Sequence, residues 1–505
     1  MADTKREIER KYEATANSAD GEPRLPDFLK VAGVTTVEDK GVTDLDAVYY
    51  DTEGLALAAH AITLRRRTGG ADAGWHLKLP VSPDVRDEIH APLGLAGDVP
   101  PALAGLVRAR TRGAPLLPTV RLKSARRTRH LLDGAGHLLA EVSADAVTAE
   151  RLGGGELTVA TWTEIEVELA DDGDPAFLDT VEKKLRKAGV RRSSSPSKLA
   201  RALTETGGGP ATPPVTAADG TAGEQVLAYV REQAQALAAY DPAVRRDLPD
   251  SVHRMRVATR RLRSAFKTYS KVLDRTVTDP LGDELKWLAG ELGVDRDQEV
   301  LTARLTGRLA ELPRTLLLGP VEARLQIWAA ARRSDSRRRT VDTLESPRYL
   351  ALLHALDSLL DRPPLLAAAS KDAEKVLRKA LAKDQARLAD RTEHALSLAP
   401  GRERDIALHE ARKAAKRLRY AAESARPALG KPAGKLRKRV KAVQSVLGDH
   451  QDSVVARGEL RTLAVQAHAA GETAFVWGLL YGQEEAAGAA RERELEGVWK
   501  RVPGV

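Results

Sequence analysis

Apolar and polar positions follow two different periods in the two parts of this chain. Up to about residue 200 they alternate in short runs broken by Gly, Pro and Asp. The clearest runs are Val48–Asp51, Ile62–Arg67, Trp75–Leu79, Thr119–Lys123, His137–Val142 and Thr163–Leu169. Alternation of this kind between turn residues predicts β-strands. From about residue 222 onward the apolar positions recur with a helical period, and Ala, Leu, Arg and Glu dominate. Between the two lies Thr206–Val215, rich in Gly and Pro and followed by Gly220. That composition predicts a linker. The expected organisation is α+β overall, with a β domain over 1–203, a linker over 204–221 and an all-α domain over 222–505.

The polar faces of the predicted strands carry unusual charge. Glu7, Glu9 and Lys11 share one face of the first strand, and Glu164, Glu166 and Glu168 share one face of a later one. Arg65 and Arg67, His76 and Lys78, and Arg121 and Lys123 line three strands between them. For any single strand this fits a plain antiparallel sheet with one wet face. Like charges stacked on one face repel, however. Acidic rows are best relieved by a divalent cation and basic pairs by an anion. A closed barrel with a polar interior brings both sets together. Carboxylate oxygens suit Mg²⁺ or Mn²⁺. Metal together with Arg and Lys clamps is what phosphoryl transfer asks of a protein.

The helical part contains an internal repeat. His253, Arg256, Arg260 and Arg263 recur at the same spacing as His409, Arg412, Lys416 and Arg419. Downstream, Leu292-Gly293 followed by Asp297 is echoed by Leu447-Gly448 followed by Asp452. A fixed offset marks a duplicated unit. On a helical wheel His253, Arg256, Arg260, Arg263 and Lys267 fall on one stripe, with Met255, Leu262 and Phe266 opposite. No glutamate relieves the first stripe between 253 and 267. Two such stripes facing across a pseudo-twofold axis would make a basic groove for a long polyanion. The spacing offers His253 and His409 no second metal ligand nearby.

Composition narrows the partner. The net charge of +9 favours an anion. Aromatic residues make up only 4%, which counts against single-stranded nucleic acid held by base stacking. The chain has no cysteine, which excludes disulfides and thiolate chemistry. The first residues show no apolar signal segment, and no apolar run approaches the roughly 20 residues of a membrane span. A soluble cytoplasmic protein with no membrane partner is therefore expected. Oligomeric state and chain length of the ligand stay open.

Taken in order, these residues resemble two known families. Glu7-x-Glu9-x-Lys11 is similar to the opening signature of the CYTH family, the triphosphate tunnel metalloenzymes. The stretches Tyr49–Thr52, Leu64–Arg67, Leu77-Lys78, Arg86–Glu88, Arg127–Arg129, Glu141 with Asp145, Glu164–Glu168 and Ser197-Lys198 follow in that family's order. His76 departs from it, standing where Thr is usual. Arg126 and Arg127 are adjacent, so either could face inward. The resemblance implies an eight-stranded antiparallel tunnel. In it Glu7, Glu9, Asp145, Glu164, Glu166 and Glu168 would hold metal. Lys11, Arg65, Arg67, Lys78, Arg86, Arg121, Lys123, Arg127, Arg129 and Lys198 would grip phosphate. Glu7, Glu9, Lys11 and Glu88 would serve catalysis. The implied reaction is hydrolysis of inorganic triphosphate, with thiamine triphosphatase, adenylate cyclase or a non-catalytic binder as alternatives. The repeat resembles the CHAD domain, which implies two pseudo-symmetric four-helix bundles that bind polyphosphate. His253, Arg256, Arg260, Arg263, Lys267, His409, Arg412, Lys413, Lys416 and Arg419 would make that surface.

Overall fold

The computed structural model describes residues 3–14, 25–94, 97–153, 158–209 and 220–502. The chain divides into two compact units, residues 1–214 and 215–505. Most of the expected linker, residues 210–219, lies outside the described residues.

Among the described residues the first unit has nine strands: β1 (Asp3–Ala14), β2 (Thr36–Asp51), β3 (Thr63–Thr68), β4 (Gly74–Ser82), β5 (Val85–Ala91), β6 (Leu117–Leu132), β7 (Leu138–Arg151), β8 (Val159–Leu169) and β9 (Val190–Arg192). Its helices are α1 (Pro101–Thr111), α2 (Ala176–Lys187) and α3 (Lys198–Glu205). The hydrogen-bonded order is β5-β4-β3-β2-β6-β7-β8-β1-β9, and β5 also pairs with β1. That last pairing, Asp3↔His90 through Ile8↔Val85, closes eight antiparallel strands into a barrel. Closure leaves the eight strands no free edge.

Alternation decides what lies on each side of the wall. Trp75, Leu77, Leu79, Leu64 and Ile89 point outward and bury against Leu103 and Val107 of α1. Ile165, Val167 and Val142 do the same against Leu178, Val181 and Leu185 of α2. The inner face is charged along most of the barrel but apolar at one end. There Ala47, Tyr49, Val120, Leu122, Val147, Ala149 and Trp162 pack on Leu199, Ala202 and Leu203 of α3. Helix α3 is thus a stopper, and its first residue, Lys198, stands at the charged space.

The second unit contains α4 (Ala222–Arg245), α5 (Ser251–Thr268), α6 (Arg275–Glu291), α7 (Gly293–Ala310), α8 (Val321–Glu345), α9 (Pro347–Asp361), α10 (Ala373–Ser397), α11 (Arg402–Ser424), α12 (Arg426–Leu429), α13 (Lys431–Ala469) and α14 (Phe475–Trp499). The spacing that carries His253 onto His409 lays α4 on α10 and α5 on α11. It also lays α6 with α7 on α13, and α8 on α14. The copies differ at one joint. The first is broken into two helices at Leu292-Gly293, whereas the second runs unbroken through Leu447-Gly448. Each copy opens on the other: Ala222 N–H donates to the Lys371 carbonyl, and Ala373 N–H donates to the Gly220 carbonyl.

The copies also share a core. Leu301, Leu305 and Leu309 of α7 and Leu325 and Trp328 of α8 pack with Leu460 and Leu463 of α13 and Trp477 and Leu480 of α14. Trp477 is 1% exposed. Replacing it with alanine is expected to cost about 3–5 kcal/mol of stability. A lower denaturant midpoint for the helical unit would show this, and an unchanged midpoint would contradict the shared core.

Candidate functional site

The charged inner face of the barrel encloses a cavity of about 570 Å³. From β1 come Glu7, Glu9 and Lys11; from β3, Arg65 and Arg67; from β4, His76 and Lys78; from β5, Arg86 and Glu88. Arg126 enters from β6, Glu166 and Glu168 from β8, and Lys198 from α3. Residues separated by almost the whole unit meet here because the barrel closes.

The charges interlock. Lys78 Nζ lies 2.6 Å from Glu7 and 3.9 Å from Glu88. Lys11 lies 3.2 Å from Glu9 and is hydrogen-bonded to Glu166. Arg86 lies 3.6 Å from Glu9. Lys198 reaches Asp145 at 2.9 Å, Glu164 at 3.3 Å and Glu166 at 2.6 Å. Arg126 forks onto Asp145 at 2.8 Å and touches Glu166 at 3.0 Å. Breaking one partner out of such a buried set leaves an uncompensated charge.

These contacts divide the carboxylates into two kinds. Despite burial, Lys11 and Lys78 hold Glu9 below the usual carboxylate range. Despite burial, Lys11, Lys198 and Arg126 hold Glu166 well below it. Glu7 behaves oppositely. Burial pushes its carboxyl up to about 8 against the pull of Lys78, and a hydrogen bond to Glu88 adds to the rise. Lys78, His76 and Glu7 keep Glu88 low in spite of its burial. Glu7 and Glu88 are therefore an acid pair that retains a proton. His76 extends the pair. Its Nε2–H donates to the Asp72 carbonyl at 2.9 Å, and its Nδ1 faces Glu88 at 2.7 Å. Burial holds the ring below its usual range in spite of the bond to Glu88.

Several expectations need correction. Arg121, Lys123, Arg127 and Arg129 do not line the cavity. Arg126 does, and strand parity then turns the odd-numbered residues of β6 outward. Arg121 pairs with Asp46 at 2.9 Å, and Arg127 and Arg129 approach Asp39 at 3.4 and 3.9 Å. Apolar Val120 and Leu122 face inward because α3 fills that end of the barrel. Asp145 and Glu164 also fall outside the cavity lining. They are 0% and 1% exposed and brace Lys198 and Arg126 from behind. Sequence reasoning named no role for Tyr49, Asp72 or Thr128, all of which line the cavity. Parity counted outward from Arg126 would have found Thr128.

In the second unit α5 and α11 pack against each other. Arg256 and Arg260 of α5 come close enough to Arg412 and Lys416 of α11 to act on the Lys416 charge. The two predicted stripes therefore meet. Arg256 is 6% exposed, and its guanidinium donates to the Gly293 carbonyl at 3.2 Å. In the second copy the Arg412 guanidinium lies over Gly448. The repeated Leu-Gly thus pairs with the repeated Arg. His409 Nδ1 donates to Gln451 at 2.7 Å, and burial holds the ring below its usual range. Arg419 stacks 4.4 Å over Tyr420. Burial lowers Arg263 and Lys267 as well. His253 is half-buried on the same helix. Lys413 departs from the expected surface. It is exposed and paired with Glu410 at 2.6 Å, because it lies one position off the stripe.

Among the described residues one group has spacing suited to a metal ion: Asp405, His450 and Glu492. Each acid is also engaged at 3.0 Å by an arginine, Arg457 and Arg404 respectively. No described helix is long and apolar enough to cross a membrane.

A closed antiparallel barrel whose lumen sets rows of lysine and arginine against clustered glutamates defines a triphosphate-tunnel protein. The CYTH domain description matches residues 5–203, and the CHAD domain description matches residues 228–461. The chain belongs to the family that joins a CYTH domain to a CHAD domain. Two Mycobacterium tuberculosis proteins, described as uncharacterized, are each 38% identical to it over 510 residues, spanning 98% of this chain and 96% of theirs. Among solved structures, PptA from Streptomyces chartreusis covers 56% of this chain and 100% of its own at 22% identity and a TM-score of 0.47. An adenylyl cyclase homologue from Hippeastrum, described as having a dominant triphosphatase activity, covers 40% of this chain and 96% of its own at 20% identity and a TM-score of 0.24.

Proposed function

We propose that the barrel hydrolyses a triphosphate, with inorganic triphosphate as the first candidate, and that the helical unit binds polyphosphate. The observation that carries this reading is one lumen that sets inward lysines and arginines against clustered glutamates, Glu7 and Glu88 among them. The cations suit phosphate oxygens. The acid pair suits a divalent cation, because a bound cation would replace the proton that burial keeps there. The donors are hard carboxylate oxygens, which fit Mg²⁺ or Mn²⁺. Glu7, Glu9, Glu166 and Glu168 would hold it, with Asp145 and Glu164 setting the inward residues behind them. When bound, such an ion neutralises phosphate charge and polarises water.

The chain's own groups do the rest. Lys11, Arg65, Arg67, Lys78, Arg86, Arg126 and Lys198 bind and orient the phosphates. Glu88, held by His76 and Lys78, keeps Glu7 beside them. In the second unit, the α5 and α11 stripes bind polyphosphate through His253, Arg256, Arg260, Arg263, Lys267, His409, Arg412, Lys416 and Arg419.

The test is phosphate release from inorganic triphosphate, adenosine triphosphate and thiamine triphosphate with Mg²⁺, Mn²⁺ or a chelator. Triphosphate should be consumed with metal, and the chelator should reduce the rate to background. Release that persists in chelator would refute the metal assignment. Conversion of adenosine triphosphate to a cyclic product, with triphosphate untouched, would favour the cyclase alternative.

A further inference from the structure

The two basic stripes differ in kind at one equivalent position: α11 carries Lys416 where α5 carries Arg260. Arginine stays charged throughout the range in which proteins fold, whereas a lysine crowded by cations does not. Lys416 is half-buried and has no hydrogen-bond or ion-pair partner among the described residues. Arg256 and Arg260 face it from α5, Arg412 from α11 and Asp452 from α13. Asp452 is shared, lying 3.7 Å from Arg412. Farther out on α13, Asp449 is spent on Arg304 and Arg491, each at 3.0 Å. Three cations and one carboxylate shared with Arg412 are thus among the charges that act on the ammonium.

We propose that Lys416 couples polyphosphate binding in the α5–α11 groove to uptake of a proton, so that the groove grips its ligand more tightly as pH falls through neutrality. The proposal rests on the polyphosphate reading of that groove. Burial, Arg412, Arg260 and Arg256 push the free ammonium down to about 7, with Asp452 opposing them. A bound polyanion adds negative charge beside the amine and favours its protonated form. Above the free value, binding must therefore bring a proton in, and affinity falls as pH rises. The limiting slope for one proton is about tenfold per pH unit. Below the free value the lysine is charged with or without ligand, and the slope vanishes. His409, also on this surface, is held below its ordinary range and is not charged in the window above 7.

The experiment is titration calorimetry of the full chain with long-chain inorganic polyphosphate, in chelator, from pH 6 to 9. At pH 8 it is run in two buffers of different ionisation enthalpy to count protons. Wild type should take up close to one proton per groove and lose affinity up to about tenfold per pH unit. Lys416→Arg should take up clearly less proton than wild type at pH 8 and lose affinity less steeply above pH 7. Lys416→Met should bind at pH 6 as weakly as wild type does at pH 9. Equal proton uptake and equal slopes in wild type and Lys416→Arg would overturn the proposal while leaving polyphosphate binding intact. No binding by wild type even at pH 6 would overturn the groove's assignment and this proposal with it.

Discussion

Glu9→Gln is expected to slow phosphate release from triphosphate by about 10³-fold or more, with little change in melting temperature. The amide keeps the shape of the side chain and loses its charge. Glu9 is 6% exposed and sits between Lys11 and Arg86 on the inner face of β1. Both cations keep other partners in the variant. Lys11 remains on Glu166, and Arg86 still donates to the Pro196 carbonyl at 2.6 Å. The fold therefore keeps its compensation while the lumen loses one hard donor. Losing a single preorganised group at a site of developing charge typically costs 10²–10³-fold, and a lost metal ligand should exceed that. Steady-state release assays with circular dichroism melts would measure both quantities. Activity within tenfold of wild type, with unchanged metal dependence, would remove Glu9 from the site.

The second large effect is expected in the helical unit. Arg260→Gln combined with Arg412→Gln removes one cation from each stripe. Polyphosphate binding should weaken by more than tenfold at low salt. Each lost phosphate contact should also reduce the slope of log affinity against log salt by about 0.7–0.9. Affinity measured at several salt concentrations gives both numbers. A variant with the wild-type slope would place the ligand elsewhere. Competition between polyphosphate and RNA on the same protein separates the two polyanions, since both predict salt dependence.

Strand parity made much of the barrel legible before any coordinates. The inward rows Glu7, Glu9 and Lys11, Arg65 and Arg67, and His76 and Lys78 each follow from alternation along their strands. The same rule misled on β6. There the apolar face is the inner one, and no local pattern shows it, because Leu199, Ala202 and Leu203 approach from far along the chain. Arg121 and Lys123 were assigned inward for that reason, and the choice between Arg126 and Arg127 stayed open. In the helical part the duplication and both stripes were readable from spacing alone. The burial of Arg256 on Gly293 was not, since it depends on the break between α6 and α7. Nor was the exposure of Lys413, whose partner Glu410 lies three residues earlier on the same helix.

The core shared by α7, α8, α13 and α14 bears on how this half of the chain arose. A half-length ancestor carrying one copy would have left Leu301, Leu305, Leu309 and Trp328 facing water. Two such chains related by a twofold axis would cover each other, and the reciprocal bonds before α4 and α10 would join them at their starts. Such a homodimer holds two identical stripes, locked together at every substitution. A single polypeptide carrying both copies is free of that lock. One stripe could then keep a permanently charged Arg260 while the other took a titratable Lys416, an asymmetry that no symmetric pair of chains can encode.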